Sequence, residues 1–197
     1  CDSVIHLAAH TGVRQSLENP EFDAKVNILG TVNLLKSAAE QGIAKFLLAS
    51  SCGVLGERNE PLTESMLPAP ASPYGASKLA QETYCSVFAR SFGINCAAIR
   101  FSNVYGPGSL HKTSAVHKFV RRALKGEKIE VYGDGDQTRD FIYVKDIARV
   151  LSLALKSDIK GFEVFQAGTG VKTSVNSMLE NLNDIFQQKG KFLRPVI

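Results

Sequence analysis

Residues 45–51 read Lys45-Phe46-Leu47-Leu48-Ala49-Ser50-Ser51, a short apolar run that ends in two hydroxyls. Positions 45–50 show no apolar/polar alternation, the pattern of a strand covered on both faces, as parallel strands are. Residues 4–9 form a similar run ending in small residues, and Asn95–Phe101 is another. Helical stretches separate these strands. Residues 22–41 place Ile28, Val32, Leu35 and Ala39 on one face, and Gly42 ends the helix. Ser72-Pro73 opens the next helix with a capping serine and a proline in the first turn, and Gly93 stops it after Phe92.

Alternation of this kind predicts an open α/β fold, a parallel sheet with helices on both faces. Ligands of such sheets lie at the carboxyl ends of the strands. Ala8-Ala9, Ser50-Ser51 and Ser102-Asn103 follow strands and so qualify. Residues 56–73 have prolines at 61, 68, 70 and 73 and no periodicity, and a loop of that length in a compact domain is functional or mobile. Beyond Gly106-Pro107-Gly108 the pattern changes. Residues 109–140 mix a short helix (116–125), a strand (129–132) and a Gly/Asp-rich turn, which predicts a small inserted lobe. Regular elements return as a strand at 141–144, a helix to 156, a strand at 162–166 and a helix at 175–188. The first residue is Cys1 and a strand pattern follows at once, so the chain is expected to be a fragment.

Composition narrows the partners. Twenty-three basic against nineteen acidic residues give a net charge of +4, too small to argue for nucleic acid and compatible with an anionic small molecule. The densest basic group, Arg121, Arg122 and Lys125, is expected to be a solvated helix face. Cys1, Cys52, Cys85 and Cys96 have no metal-binding spacing and suit thiols of a reducing compartment. His10, His111 and His117 show no partner pattern, and no metal is expected. No apolar run approaches the roughly 18 residues of a membrane span, and no signal peptide is visible. A cytoplasmic protein with no membrane partner is expected.

Tyr74 and Lys78 stand four apart at the start of a helix and share a face. A phenol, with a pKa of about 10 in water, is a poor base at neutral pH. A neighbouring cation and the positive end of a helix are expected to lower that value. Tyr74 would then accept and donate the proton that hydride chemistry at an alcohol carbon requires. On spacing alone, a surface lysine and a packing tyrosine explain the pair more economically. Ser51 alters that balance, since a hydroxyl at the end of a buried strand faces the same crevice and can hold the reacting oxygen. Ser50 reads as a turn residue or a wall of the cofactor groove. Asp146 reads as a helix-start residue.

Six blocks carry a wider resemblance. They are His6-Leu7-Ala8-Ala9, Val26-Asn27-Ile28-Leu29-Gly30-Thr31, residues 49–56 (Ala-Ser-Ser-Cys-Gly-Val-Leu-Gly), Ser72-Pro73-Tyr74-Gly75-Ala76-Ser77-Lys78, residues 100–107 and residues 132–141. In this order and spacing the chain resembles the extended short-chain dehydrogenases/reductases, most of all the NAD-dependent nucleotide-sugar epimerases typified by UDP-glucose 4-epimerase. The resemblance implies a Rossmann-type doubly wound parallel sheet with its N-terminal unit missing and a small substrate lobe. Its expected divisions are 1–108 (partial NAD-binding domain), 109–140 (substrate lobe), 141–170 (return to the sheet) and 171–197 (start of a C-terminal substrate lobe).

The resemblance also implies roles. Tyr74 is the acid/base, Lys78 holds the nicotinamide ribose and tunes it, and Ser51 binds the reacting oxygen. NAD would lie against Leu7, Ala8, Ala9, Ser50, Tyr74, Lys78 and Phe101. The nucleotide-diphosphate sugar would meet Ser51, Asn103, Tyr132 and Arg139, the last on the diphosphate; a surface ion pair with Asp136 or Asp140 is the alternative for Arg139. Asn27 is either a family site residue or a buried hydrogen-bonded helix residue. A homodimer through helices 22–41 and 74–92 is implied. The implied reaction is 4-epimerisation through a transient keto sugar with no net redox change.

Departures qualify the match. Cys52-Gly53 follow Ser51 where sugar-nucleotide dehydratases carry Asp-Glu, and a decarboxylase would have Glu at 53, so epimerase chemistry is favoured and a reductase stays open. Leu55 replaces the usual Tyr, with an expected effect on the pocket wall, and His117 replaces a Pro. No Gly-x-x-Gly-x-x-Gly, the loop that holds the cofactor pyrophosphate, occurs in the chain. The 197 residues alone are therefore expected to bind NAD weakly and turn over little. A non-catalytic scaffold of the same fold is the rival reading. The sugar, UDP against dTDP, and NAD against NADP stay open.

Overall fold

The computed structural model describes residues 1–108 and 114–188 and the backbone of 195–196. The chain divides into two compact units, Cys1–Ser102 with Asp146–Ala167 and Asn103–Lys145 with Gly168–Ile197.

The first unit is built on four parallel strands, β1 (Ser3–His6), β2 (Lys45–Ser51), β3 (Asn95–Phe101) and β8 (Phe162–Ala167), in the order β1-β2-β3-β8. Helices cover both faces, as the unalternating sequence of β2 requires. Phe46 and Leu48 point into one core with Leu35, Cys85, Phe88, Cys96 and Ala98. Leu47 points the other way with Ala97 and Ile159, under Ala154 and Leu155 of helix α6 (Val144–Lys156). The sheet is thus the doubly wound parallel type. Asp146 lies in the first turn of α6. The first strand is shorter than expected: it ends at His6, lies at the edge of the order, and leaves Ile5 39% exposed. Leu7 and Ala8 are exposed beyond it.

Helix α4 (Pro73–Phe92) has the predicted ends. The Ser72 hydroxyl accepts the Gly75 N–H at 3.1 Å, Pro73 needs no partner, and Gly93 closes the helix in the left-handed region at φ 73°. Tyr74 N–H donates to the Ser16 hydroxyl at 3.1 Å. That serine belongs to α1 (Val13–Glu18).

The expected helix at 22–41 is three pieces in succession: α2 (Pro20–Ala24), a π turn (Lys25–Leu29) and α3 (Gly30–Glu40). Its buried positions are Asp23, Asn27, Thr31, Leu35 and Ala38, whereas Ile28, Val32 and Ala39 are only half-buried. The inward face is polar over its first half, because it meets the polar start of α4 rather than the apolar core.

The second unit holds β4 (Asn103–Tyr105) paired with β7 (Phe141–Tyr143), α5 (Ala115–Lys125), β5 (Ile129–Glu130), β6 (Thr138–Arg139) paired with β9 (Thr173–Ser174), α7 (Val175–Gln187), and β10 (Pro195–Val196) paired with β5. Phe119, Ile129, Val131, Val175, Met178 and Phe186 form its core. The strand expected at 129–132 stops at Glu130, and the Gly133–Gln137 turn follows. Gly135 (φ 79°) packs against Asn176, whose amide donates to Asp134 O and Asp136 Oδ1 at 3.0 Å each. His111 lies outside the described residues.

Candidate functional site

At the carboxyl end of β2 the chain turns into a short 3-10 helix (Cys52–Leu55), and Ser51 caps it by accepting the Gly53 N–H at 3.1 Å. The start of α4 packs directly on that turn. A Cβ at Gly75 would sit 2.5 Å from the Gly53 carbonyl oxygen, so only glycine lets the two backbones approach so closely. This contact sets the start of α4, and with it Tyr74, beside Ser51, whose hydroxyl favours the phenolate form of the tyrosine. Lys78, one turn on and 3% exposed, donates to Ala49 O at 2.8 Å, with Nζ 5.8 Å from the Tyr74 ring centroid. Ser51, Tyr74 and Lys78 therefore gather at one point, as their positions at a strand end and a helix start suggested.

Their electrostatics differ from expectation. Burial raises the Tyr74 phenol above its ordinary value; the Ser51 hydrogen bond opposes this, and the Asp23 carboxylate adds to it. The lysine charge is engaged by the Ala49 carbonyl and is itself weakened. Burial brings Lys78 down to about 8, against the supporting charges of Asp23 and Glu82.

Ser50 faces away from Ser51, as adjacent strand residues do. It is buried, and its hydroxyl donates to Glu82 Oε1 at 2.5 Å. Glu82 also receives Arg100 Nε at 2.9 Å and Nη2 at 2.8 Å, an interior ion pair. The Ser50 hydroxyl is thus spent inside the fold, which leaves only its main chain for the wall of the cofactor groove expected of it. Leu55 is fully buried beneath the 3-10 turn, so its replacement of a tyrosine alters packing there and not an open pocket wall. Phe101 is half-buried and stands level with Ser51 in the β2–β3 register. Leu7, Ala8 and Ala9 follow β1 on the same edge of the sheet. Asn27 is fully buried and hydrogen-bonded to His10 and Ser77, which fits its interior reading.

In the second unit, Asn103 Nδ2 donates to Asp140 O at 3.1 Å. Tyr132 is 72% exposed, with Lys118 Nζ 5.0 Å from its ring centroid. Arg139 is exposed and donates to Thr138 O at 2.7 Å; no carboxylate among the described residues pairs with it. The two expected partners are occupied elsewhere, Asp136 by Asn176 and Asp140 by the Thr169 and Gly170 amides and the Thr169 hydroxyl. On α5, Arg122 pairs with Glu130 at 3.3 Å and Lys125 with Glu127 at 3.9 Å, the solvated face expected. His117 Nδ1 lies 2.7 Å from the Ser114 hydroxyl.

Two site residues escaped the sequence reading. His10 does have a partner: its Nδ1 lies 3.0 Å from Asp23 Oδ1. Asp23 in turn accepts from Ser77 Oγ at 2.6 Å. The available signal was the four-residue spacing of Asp23, Asn27 and Thr31, which marks a common helix face. Among the described residues no group of three or more metal-ligating side chains occurs.

The model of the NAD dependent epimerase/dehydratase family matches residues 1–168. The UDP-glucuronate 4-epimerase of Thermodesulfobacterium geofontis is 36% identical over 191 residues, which make up 96% of this chain and 58% of that relative. The crystal structure of UDP-glucose 4-epimerase from Thermotoga maritima with UDP-glucose aligns with a TM-score of 0.90 at 36% identity, covering 99% of this chain and 64% of that one. UDP-glucuronic acid 4-epimerase from Bacillus cereus, in complex with UDP-glucuronic acid and NAD, aligns with a TM-score of 0.90 at 33% identity, covering 99% and 62%. The chain thus spans less than two thirds of the length of these relatives.

Proposed function

The chain belongs to the NAD dependent epimerase/dehydratase family, and from that premise we propose that the protein is an NAD-dependent 4-epimerase of a UDP-sugar. The observation that carries the proposal is the packing of the start of α4 on the turn after β2, which gathers Ser51 and Tyr74 with the Lys78 ammonium, 5.8 Å from the Tyr74 ring. Two hydroxyls and a cation at one point are the equipment for moving a proton on and off an alcohol oxygen.

In this reading Ser51 holds the C4 oxygen of the sugar and Tyr74 takes its proton. The sugar passes through a 4-keto form, and Tyr74 returns the proton to the epimer. NAD supplies the hydride acceptor and donor when bound. Tyr74 Oη and Lys78 Nζ would meet its ribose and nicotinamide end, with Leu7, Ala8, Ala9 and Phe101 as the apolar wall. The buried ammonium of Lys78 fits such a partner, since its one acceptor among the described residues is a carbonyl. Asn103, Tyr132 and Arg139 are the side chains we assign to the sugar nucleotide, Arg139 to the diphosphate, in keeping with a guanidinium that no described carboxylate engages.

The other outcomes known for this chemistry fit less well. Elimination of water needs an added acid and base, and Cys52-Gly53 offer neither carboxylate. A Cβ at position 53 would lie 3.3 Å from Ser51 Oγ, so a glutamate there would crowd the proposed oxygen-binding hydroxyl. We further assign a homodimer through α2–α3 and α4. Supporting this, Phe22, Leu29 and Leu34 are exposed on the first, and Tyr84 and Val87 on the second. A cytoplasmic setting agrees with four cysteines present as thiols. No described helix is long and apolar enough to cross a membrane.

The proposal is tested by mixing the full-length protein and NAD with UDP-glucose or UDP-glucuronic acid and following the 4-epimer by anion-exchange chromatography. Appearance of the epimer from either supports it. A 4,6-dehydrated or reduced product, or no product from both, contradicts it.

A further inference from the structure

Behind Tyr74 lies a closed polar cluster that the proton chemistry above does not use. Asp23 is 1% exposed. Its Oδ1 faces His10 Nδ1 at 3.0 Å, and its Oδ2 accepts from Ser77 Oγ at 2.6 Å. The Ser77 oxygen also lies 3.0 Å from the Tyr74 carbonyl and accepts from Asn27 Nδ2 at 3.0 Å. Asn27 grips the His10 main chain on both sides, accepting its N–H at 2.8 Å and donating to its carbonyl at 3.0 Å. Four segments converge here: the turn after β1, α2, the π turn and the first turns of α4. A buried carboxylate is costly unless it is hydrogen-bonded and paired, and this one is held next to the groups assigned to proton transfer.

We propose that Asp23, with its partner His10, is a positioning residue that controls how readily Tyr74 gives and takes its proton. This rests on the reading of Tyr74 as acid/base. The negative charge of Asp23 opposes the phenolate and supports the Lys78 ammonium, and both effects have the sign that geometry requires. His10 holds the other carboxylate oxygen of Asp23 and so fixes its orientation. The other charged and titratable groups around the cluster are few. Lys78 and Tyr74 face it from α4. His6 of β1 bonds Thr31 at 2.9 Å and is held below its usual value by burial and by Lys78. Glu82 closes on Arg100, and Arg14 closes on Glu18 at the surface. Asp23 thus acts in the same sense as burial on the phenol, keeping it protonated, and against burial on the lysine, supporting its charge.

The test compares Asp23→Asn with Ser77→Ala in the full-length protein. The Asp23→Asn variant keeps an oxygen for the Ser77 hydroxyl, removes the charge and turns an amide NH2 toward His10; Ser77→Ala breaks the hydrogen bond and keeps the charge. The acidic limb of the kcat/KM profile should move to lower pH by roughly half a unit or more in Asp23→Asn, and should not move down in Ser77→Ala. A second readout needs no turnover: the 13C-tyrosine resonance absent from Tyr74→Phe should titrate at lower pH in Asp23→Asn than in the unaltered protein. An unmoved or raised midpoint in Asp23→Asn, or an equal downward shift in both variants, overturns the inference. Failure of the epimerase reading looks different: no UDP-sugar is converted, while the tyrosine midpoint still falls.

Discussion

The ammonium of Lys78 lies 2.8 Å from the carbonyl oxygen of Ala49, inside the fold and behind the ring of Tyr74. One neutral acceptor replaces the full hydration shell of a cation, and burial lowers the lysine from 10.5 to about 8. The site thus holds a charge that the fold alone does not stabilise.

That charge makes stability depend on pH in a defined direction. Between pH 8 and 10.5 the unfolded chain binds the proton more tightly than the folded one, so folding stability rises with pH across that window. The burial penalty is full below the lower value and gone above the upper one; a drop of this size corresponds to about 3 kcal/mol. Lys78→Met should therefore be more stable than the parent at pH 7, by about 1–3 kcal/mol, and should lose the rise. Urea unfolding at pH 7 and pH 10 checks this. A destabilised Lys78→Met at pH 7 would contradict it.

Gly75 is predicted to tolerate no side chain. In Gly75→Ala the new methyl would meet the Gly53 oxygen at 2.5 Å and Pro70 Cβ at 3.1 Å, and backbone cannot yield as a flexible side chain does. Overpacking of this kind costs about 1–3 kcal/mol. It also pushes Tyr74 away from Ser51, and a displacement of about 1 Å at such a site costs on the order of 100-fold in rate. Stability and kcat should fall together, while Gly93→Ala, far from this contact at the other end of α4, should lower stability alone.

The interior pair of Arg100 and Glu82 is expected to matter through what is left when it is broken. Glu82→Gln strands a buried guanidinium that already has one nitrogen, Nη1, without a partner, and should destabilise by about 3–5 kcal/mol. Replacing both residues with apolar ones should cost much less than that single change. Chemical denaturation of the single and double variants separates these outcomes.

The elements that carried the prediction of the fold were those whose chemistry is local. The apolar run of β2, the Ser72-Pro73 start of α4 and the closing Gly93 each act through their own neighbours, and each lies where the sequence put it. The proposed set of Ser51, Tyr74 and Lys78 was legible less from its own spacing, which fits a surface lysine and a packing tyrosine, than from the ordered blocks around it. What stayed hidden depends on distant partners. Asp23 and His10 are 13 positions apart and join only after α2 folds back on the β1 turn. The apolar positions Ile28 and Val32 suggested an inward face that the π turn and the polar start of α4 do not allow. Ser50 read as a turn residue or a groove wall, and its bond to Glu82, 32 residues on, was not visible in the sequence.

Ser51 is expected to act through its hydroxyl alone. Ser51→Ala should fold normally apart from the lost Gly53 cap, worth about 1 kcal/mol, and should reduce kcat by on the order of 100-fold or more as a lost oxygen-binding group. Ser51→Thr, which restores a hydroxyl, should recover part of the rate. Equal rates in the Ala and Thr variants would remove the hydroxyl from the chemistry.

The central claim is that Tyr74 moves the proton in the interconversion of a UDP-sugar pair. The direct measurement is the rate of 4-epimer formation from a UDP-sugar by the full-length protein and by Tyr74→Phe, each supplied with NAD and each confirmed as folded. The account predicts conversion by the first and its loss in the second, since phenylalanine fills the same space without the proton. Undiminished conversion by Tyr74→Phe would contradict it.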